Sequence, residues 1–242
     1  MTLEYRHIGF SWWYIPATLV FALLDYKWAG PSGGILEVLL GGIEVIQCEE
    51  SGGEILPFPM GRWLFVFGWL FLTAGLYSIR AKRLFVLELY RHGSFGRWWF
   101  KQFLLIQGMS FILYMEMVLV WYILELMTGR KTEEAGWILL TFGLHAAVLV
   151  AVEICLNLLA MKGMAAGILI IAEGMGYVLA EQTGNPWLAG GMYVRSSRYI
   201  ENGFSLSVMY SVEISLLLLC YTAVWLLGRN GRLENRLFGK EE

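Results

Sequence analysis

Six polar side chains lie inside long apolar runs of this 242-residue sequence: Glu116, His145, Glu153, Asn157, Glu173 and Glu213. Asn157 follows Glu153 by four residues, so a helix places both on one face. Carboxyl and imidazole groups exchange protons, form ion pairs and line polar paths, and they are costly to bury in an apolar medium. We expect these residues to line a polar translocation path. The alternative is that each protonated glutamate only joins helices, at roughly 1 kcal/mol each.

The sequence lacks the usual patterns of enzymes and metal sites. It contains no His-Glu-x-x-His and no Gly-x-Ser-x-Gly, and its single Gly-Lys pair, at 239–240, is not part of a phosphate-binding loop. The three cysteines are scattered, and we expect the three histidines to lie at different depths, so no metal site is predicted. The formal net charge of −2 predicts no nucleic-acid partner.

The elements that must position these groups are apolar runs long enough to cross a bilayer. Of all residues, 57% are hydrophobic and 16% charged, whereas soluble domains carry about 25% charged residues. A span needs roughly 20 mostly apolar residues. The sequence predicts an all-α, polytopic membrane protein with one transmembrane domain over residues 1–242. Six spans are expected at about 9–26, 63–79, 103–127, 137–160, 164–180 and 204–227.

The placement of lysine and arginine predicts the orientation of these spans. With six spans, twelve of the 18 basic residues fall on one side, which the positive-inside rule makes cytoplasmic. Both termini are then cytoplasmic. Residues 27–60 form the first extracellular loop. Within it, the apolar stretch Ile35–Ile46 is too short to span and predicts an interfacial or re-entrant helix.

The largest cytoplasmic feature is the basic and aromatic segment 80–101, which is interrupted at Gly93-Ser-Phe-Gly96. One interpretation is a charged segment that sets the topology and meets anionic lipid. The other is a short helix that docks into a groove of a partner protein, since topology alone does not need an interruption before a Trp-Trp pair.

Residues 89–101 read Leu-Tyr-Arg-His-Gly-Ser-x-x-x-Trp-Trp-x-Lys. This pattern resembles permease subunits of exporter-class ABC transporters, in particular the small six-span permeases of bacteriocin, lantibiotic and other peptide export or immunity systems. Those permeases connect their second and third spans by an Arg-x-x-Ser segment followed by Trp and Lys. The matching positions here are Arg91, Ser94, Trp98 or Trp99, and Lys101.

The resemblance implies a non-catalytic permease in a bacterial plasma membrane. A separate cytoplasmic ATPase subunit would hold ATP and magnesium, a second identical or paralogous permease chain would complete the transporter, and the substrate would be a peptide, an antimicrobial or lipid-like. The resemblance places a coupling contact with the ATPase at about Leu87–Trp99. The coupling residues it implies are Leu87, Leu89, Tyr90, Arg91, Ser94, Trp98, Trp99 and Lys101.

Two other functions stay open at the level of sequence. A proton-coupled secondary carrier would use the intramembrane glutamates as its proton sites. An intramembrane enzyme would use a glutamate or His145 for acid–base work, although the sequence offers no paired catalytic motif.

Overall fold

In a computed structural model, the chain is described over residues 13–30, 33–40, 57–92, 94–133, 135–159, 164–183, 185–188 and 205–229. These ranges contain helices and no strand, which confirms the predicted all-α class for this part of the chain. The helices are α1 Tyr14–Trp28, α2 Ile35–Leu40, α3 Pro57–His92, α4 Phe95–Thr128, α5 Ala135–Leu159, α6 Ala165–Thr183 and α7 Leu206–Arg229, with a 3-10 turn at Pro186–Leu188.

Three helices in the described part of the chain, α4, α5 and α7, are by themselves long and apolar enough to cross a membrane. Shorter apolar stretches occupy Phe65–Ala81 of α3 and Ala165–Gly176 of α6. Many large apolar side chains on these helices are exposed, such as Phe111 on α4 and Leu219 on α7. Water does not favour such a surface, whereas lipid does, so these features indicate a helical membrane protein.

Helix α5 is the centre of the bundle, because it packs against α2, α3, α4, α6 and α7. Apolar residues occur on every side of it, as expected for a helix surrounded by others, and a few polar residues lie among them. Two apolar clusters cover it. The first includes Phe67, Trp121 and Phe142, and the second includes Trp98 and Trp99.

Helix α2 is the described part of the short helix predicted in the first loop. Its residues Ile35, Leu36, Leu39 and Leu40 are at most 1% exposed, and the helix packs against α3, α4 and α5. Residues 35–40 are therefore packed inside the bundle, and the interfacial and re-entrant alternatives both stay predictions. Residues 41–46 of the predicted helix lie outside the described residues.

The start of α2 is fixed by polar groups at the end of α4. The Glu125 carboxylate accepts a hydrogen bond from the Leu36 amide at 3.0 Å and another from the Thr132 hydroxyl. Arg130 donates to the carbonyl oxygens of Gly30 at 2.8 Å and Gly33 at 2.6 Å. Glu125 thus satisfies a backbone donor that the first turn of a helix leaves unpaired.

Segment 80–101 is mostly helical. Helix α3 continues to His92, well beyond the end predicted for the second span at residue 79, and α4 begins at Phe95. Ser94 has an extended backbone, with φ −155° and ψ 142°, and its hydroxyl accepts a hydrogen bond from the Arg97 amide at 3.4 Å. Ser94 therefore caps α4, and Phe95 and Gly96 of the predicted interruption belong to this helix.

Candidate functional site

Helix α5 carries a line of buried residues at four-residue intervals: Thr141, His145, Leu149, Glu153 and Asn157. All five side chains are buried, and Thr141 and Glu153 are 0% exposed. Because a helix rises about 1.5 Å per residue, the line extends about 24 Å along the axis, most of a hydrocarbon core about 30 Å thick. We call the polar members Thr141, His145, Glu153 and Asn157 the polar stripe. Leu149 interrupts it.

His145 joins three helices. Its Nδ1 lies 2.8 Å from Oε1 of Glu213 on α7, and its Nε2 lies 3.1 Å from Oε2 of Glu173 on α6. The side chains of all three residues are at most 10% exposed. The Phe67 ring covers the imidazole edge-on at 5.7 Å between centroids. We call His145, Glu173 and Glu213 the His145 cluster.

The two hydrogen bonds of the His145 cluster need two protons. An imidazolium between two carboxylates supplies them, and so does a neutral ring with one carboxylate and one carboxylic acid. Both arrangements leave one net negative charge, which is costly in an apolar interior. A third proton makes the cluster neutral. The second Glu213 oxygen, Oε2, is buried and has no hydrogen-bond partner among the described residues, so it can take that proton.

Glu153 faces α3 at a glycine. A Cβ atom built on Gly75 would lie 2.6 Å from Glu153 Oε1, so a side chain at position 75 would force the carboxyl group to shift. Neither Glu153 oxygen has a hydrogen-bond partner among the described residues. The Asn157 amide is close enough to interact with Glu153, and one of its two N–H groups donates to the Ser78 hydroxyl at 3.0 Å.

The other end of the polar stripe is tied to α7. The hydroxyl groups of Thr141 and Tyr210 lie 2.7 Å apart, and the Trp137 ring packs edge-on against the Tyr210 ring. The stripe therefore contacts α7 and α6 along its first half and α3 along its second half.

The structure brings five of the six predicted path residues onto or against α5. Glu116 is the exception, since it is half-buried on α4 and forms no hydrogen bond with the His145 cluster among the described contacts. No group of three histidine, cysteine or acidic side chains in the described ranges is arranged to hold a metal ion.

Two of the predicted coupling residues lie inside the bundle. Trp98 and Trp99 are 0% exposed, and Trp99 Nε1 donates to the Tyr221 carbonyl oxygen of α7 at 3.0 Å. The Trp99 and Tyr221 rings also stack, with centroids 6.3 Å apart. In this structure the tryptophans join α4 to α7 and offer no surface to a partner, which differs from the docking contact expected of them.

The remaining coupling residues surround the tip of the α3–α4 hairpin. Ser94 is exposed and Lys101 is half-buried on the first turns of α4. The backbones of Leu87, Leu89, Tyr90 and Arg91 belong to the last turns of α3, and their side chains lie outside the described set.

Four residues of the site were not identified from the sequence: Gly75, Ser78, Thr141 and Tyr210. The spacing of Thr141, His145, Glu153 and Asn157 was the available signal, because residues four apart are neighbours on a helix surface. Each four-residue step also turns about 40° around the axis, so the line winds gradually around α5. Their partners on α3 and α7 are distant in sequence, and nothing local marks them.

Comparison with known proteins finds no matching family model, no matching curated protein and no matching solved structure.

Proposed function

We propose that this chain is the membrane-spanning permease subunit of an ATP-driven ABC exporter in a bacterial plasma membrane. It moves a peptide, an antimicrobial or a lipid-like substrate out of the cell, and a separate ATPase subunit supplies the energy. In this proposal the chain spans the membrane six times and has both termini in the cytoplasm. The basic segment 80–101 is then on the side of the ATPase.

The observation that carries this proposal is the length of the α3–α4 hairpin. Helix α3 has 36 residues and α4 has 34, so each is more than 50 Å long at about 1.5 Å per residue. The apolar stretch of α3 ends at Ala81. The eleven following residues extend it by about 16 Å beyond a hydrocarbon core of about 30 Å. A hairpin tip with basic residues outside the membrane suits a contact with a cytoplasmic ATPase.

We assign this contact to the last turns of α3, at Leu87–Arg91, and to Ser94 and Lys101 at the start of α4. Trp98 and Trp99 act inside the bundle. Since Trp99 is hydrogen-bonded to α7, a displacement of the hairpin tip reaches α7, which also carries Glu213 of the His145 cluster.

The experiment compares two sets of aspartate substitutions in the full-length, tagged chain. Leu89→Asp with Tyr90→Asp changes the hairpin tip, and Thr183→Asp is the control, at an exposed position at the end of α6. We expect the wild type and the control to copurify with an ATPase from mild detergent and to support ATP-dependent export. The tip variant should lose the ATPase without a change in its melting temperature. Retention of the ATPase by the tip variant would overturn the coupling assignment.

A proton-coupled carrier is the second candidate, and the His145 cluster is the observation that favours it. A buried imidazole between two carboxyl groups can bind and release a proton inside a membrane. Replacing Glu116, Glu153, Glu173 and Glu213 one at a time by glutamine separates the candidates. A carrier loses proton coupling in at least one variant, while an ABC permease keeps ATP-driven transport and loses stability or substrate range.

A further inference from the structure

We propose that Glu153 is a buried proton-binding site and that Leu149 is the apolar barrier separating it from the His145 cluster. This inference goes beyond the ABC permease assignment, because it needs no ATPase and no exported substrate. The ligand is the proton itself.

The hydrogen-bonding groups around Glu153 show which ligand the site takes. Both Glu153 oxygens and Oδ1 of Asn157 are buried without a hydrogen-bond partner among the described residues. All three atoms are acceptors when the carboxyl group is ionised, and the second N–H of the Asn157 amide forms no hydrogen bond with them, so the site lacks an engaged donor. One proton on Glu153 supplies that donor, with Asn157 Oδ1 one helical turn away as an acceptor.

A metal ion fits this position less well than a proton. Calcium and magnesium take about six or more oxygen ligands, and the described residues offer the two Glu153 oxygens, the Asn157 oxygen and the Ser78 hydroxyl. The hydroxyl is already engaged, since it donates to the Gly75 carbonyl at 2.9 Å and accepts from Asn157. Close packing of Glu153 against Gly75 also leaves little space on that side.

No described cation compensates a charge on Glu153. The ion pairs among the described residues both involve His145, which is eight residues away on the same helix. An ionised carboxylate buried without a partner costs several kcal/mol or more. A neutral, protonated Glu153 removes this cost.

Leu149 lies midway between the two sites on α5. Eight residues separate His145 from Glu153, which corresponds to about 12 Å along the helix. A hydrogen bond spans only about 3 Å, so a proton cannot pass directly. The Leu149 side chain is 7% exposed and belongs to the first apolar cluster. The line on α5 therefore contributes no polar side chain between His145 and Glu153.

The first test is infrared spectroscopy of the purified full-length chain in lipid at neutral pH, with Glu153→Gln as the matched variant. The wild type should show a carbonyl stretch of a protonated carboxyl group that shifts in heavy water and is missing from Glu153→Gln. Because glutamine has nearly the same shape, this variant keeps the packing against Gly75. Identical bands in the two proteins would overturn the protonation of Glu153.

The second test measures proton flux into liposomes that contain the full-length chain alone, using a trapped pH-sensitive dye. Leu149→Ser should raise the flux about tenfold, which corresponds to a barrier lower by about 1.4 kcal/mol, and the milder Leu149→Ala should change it in the same direction. Leu158→Ser is the control, since Leu158 is also buried on α5, at 2% exposed, but lies off the line. Adding Glu153→Gln to Leu149→Ser should return the flux to the wild-type value.

Equal fluxes for the Leu149 and Leu158 variants would overturn the barrier. These results are independent of ATPase copurification, so the proton site and the ABC permease assignment can fail separately.

Discussion

Replacing His145 by leucine should destabilise the protein more than replacing the whole His145 cluster by apolar residues. His145→Leu leaves the Glu173 and Glu213 carboxyl groups in the bundle without the imidazole that joins them. The triple variant His145→Leu, Glu173→Met, Glu213→Met removes the polar groups together and keeps similar side-chain volumes.

The expected order of stabilities follows from comparing the free energy of the His145 hydrogen bonds with the cost of leaving a buried charge uncompensated. Hydrogen bonds between membrane helices contribute about 0.6 kcal/mol on average and at most about 1.7, so the two bonds of His145 account for about 1–3 kcal/mol. Removing one partner from a buried ionic set costs about 3–5 kcal/mol, because the remaining charge is uncompensated. Replacing an entire buried set by apolar residues is often neutral or stabilising by about 1–4 kcal/mol.

Thermal unfolding of the detergent-purified variants measures the difference. For a chain of this length, 1 kcal/mol corresponds to about 2–4 °C, so His145→Leu should melt about 6–20 °C below the wild type. The triple variant should melt at or above the wild-type temperature. A triple variant as unstable as His145→Leu would refute this account of the cluster. If the cluster also serves transport, the stable triple variant should be inactive.

Three further variants test individual contacts by the same melting assay. In the wild type, Gly75→Ala should lower the stability by about 1–3 kcal/mol, because the alanine Cβ meets Glu153. In the Glu153→Ala background the same substitution should raise the stability by about 1 kcal/mol, because alanine favours a helix more than glycine does. Equal effects in both backgrounds would contradict the contact. Trp99→Phe should cost at least about 0.5–1.5 kcal/mol through its lost hydrogen bond to α7. Glu125→Leu should cost about 1–3 kcal/mol and speed hydrogen exchange at the Leu36 amide, whereas unchanged exchange would argue against this cap.

Helix class and approximate helix positions could be predicted from the sequence, because long apolar runs dominate it. Helices α4, α5 and α7 begin and end within a few residues of the predicted spans, apart from the start of α4. Their length and composition confirm a helical membrane protein. The total of six spans and the orientation of the termini stay predictions.

The extension of α3 to His92 was missed because the charges after Ile79 suggested the end of an element. The apolar stretch ends at Ala81, whereas the helix continues to His92. Residues 80–92 are mostly good helix formers such as alanine, leucine, lysine and arginine, and no glycine or proline occurs before Gly93. The end of the apolar stretch and the end of the helix therefore fall at different residues.

Side-chain pairing could not be read from the sequence because it depends on distant helices. His145 meets residues 28 and 68 positions away, and Trp99 bonds to a carbonyl 122 positions away. The Trp-Trp pair beside basic residues was interpreted as a docking surface for the same reason. The pair is buried because α7 packs against α4, and no local sequence pattern predicts this contact.

The mass of the intact complex tests the permease assignment most directly. Native mass spectrometry of the tagged chain, purified in mild detergent from its own membranes, should show two permease chains with two ATPase subunits. The Leu89→Asp, Tyr90→Asp variant should appear without the ATPase, while Thr183→Asp should retain it. A chain that purifies without any ATPase and alone carries protons across liposomes would contradict the assignment and favour the carrier.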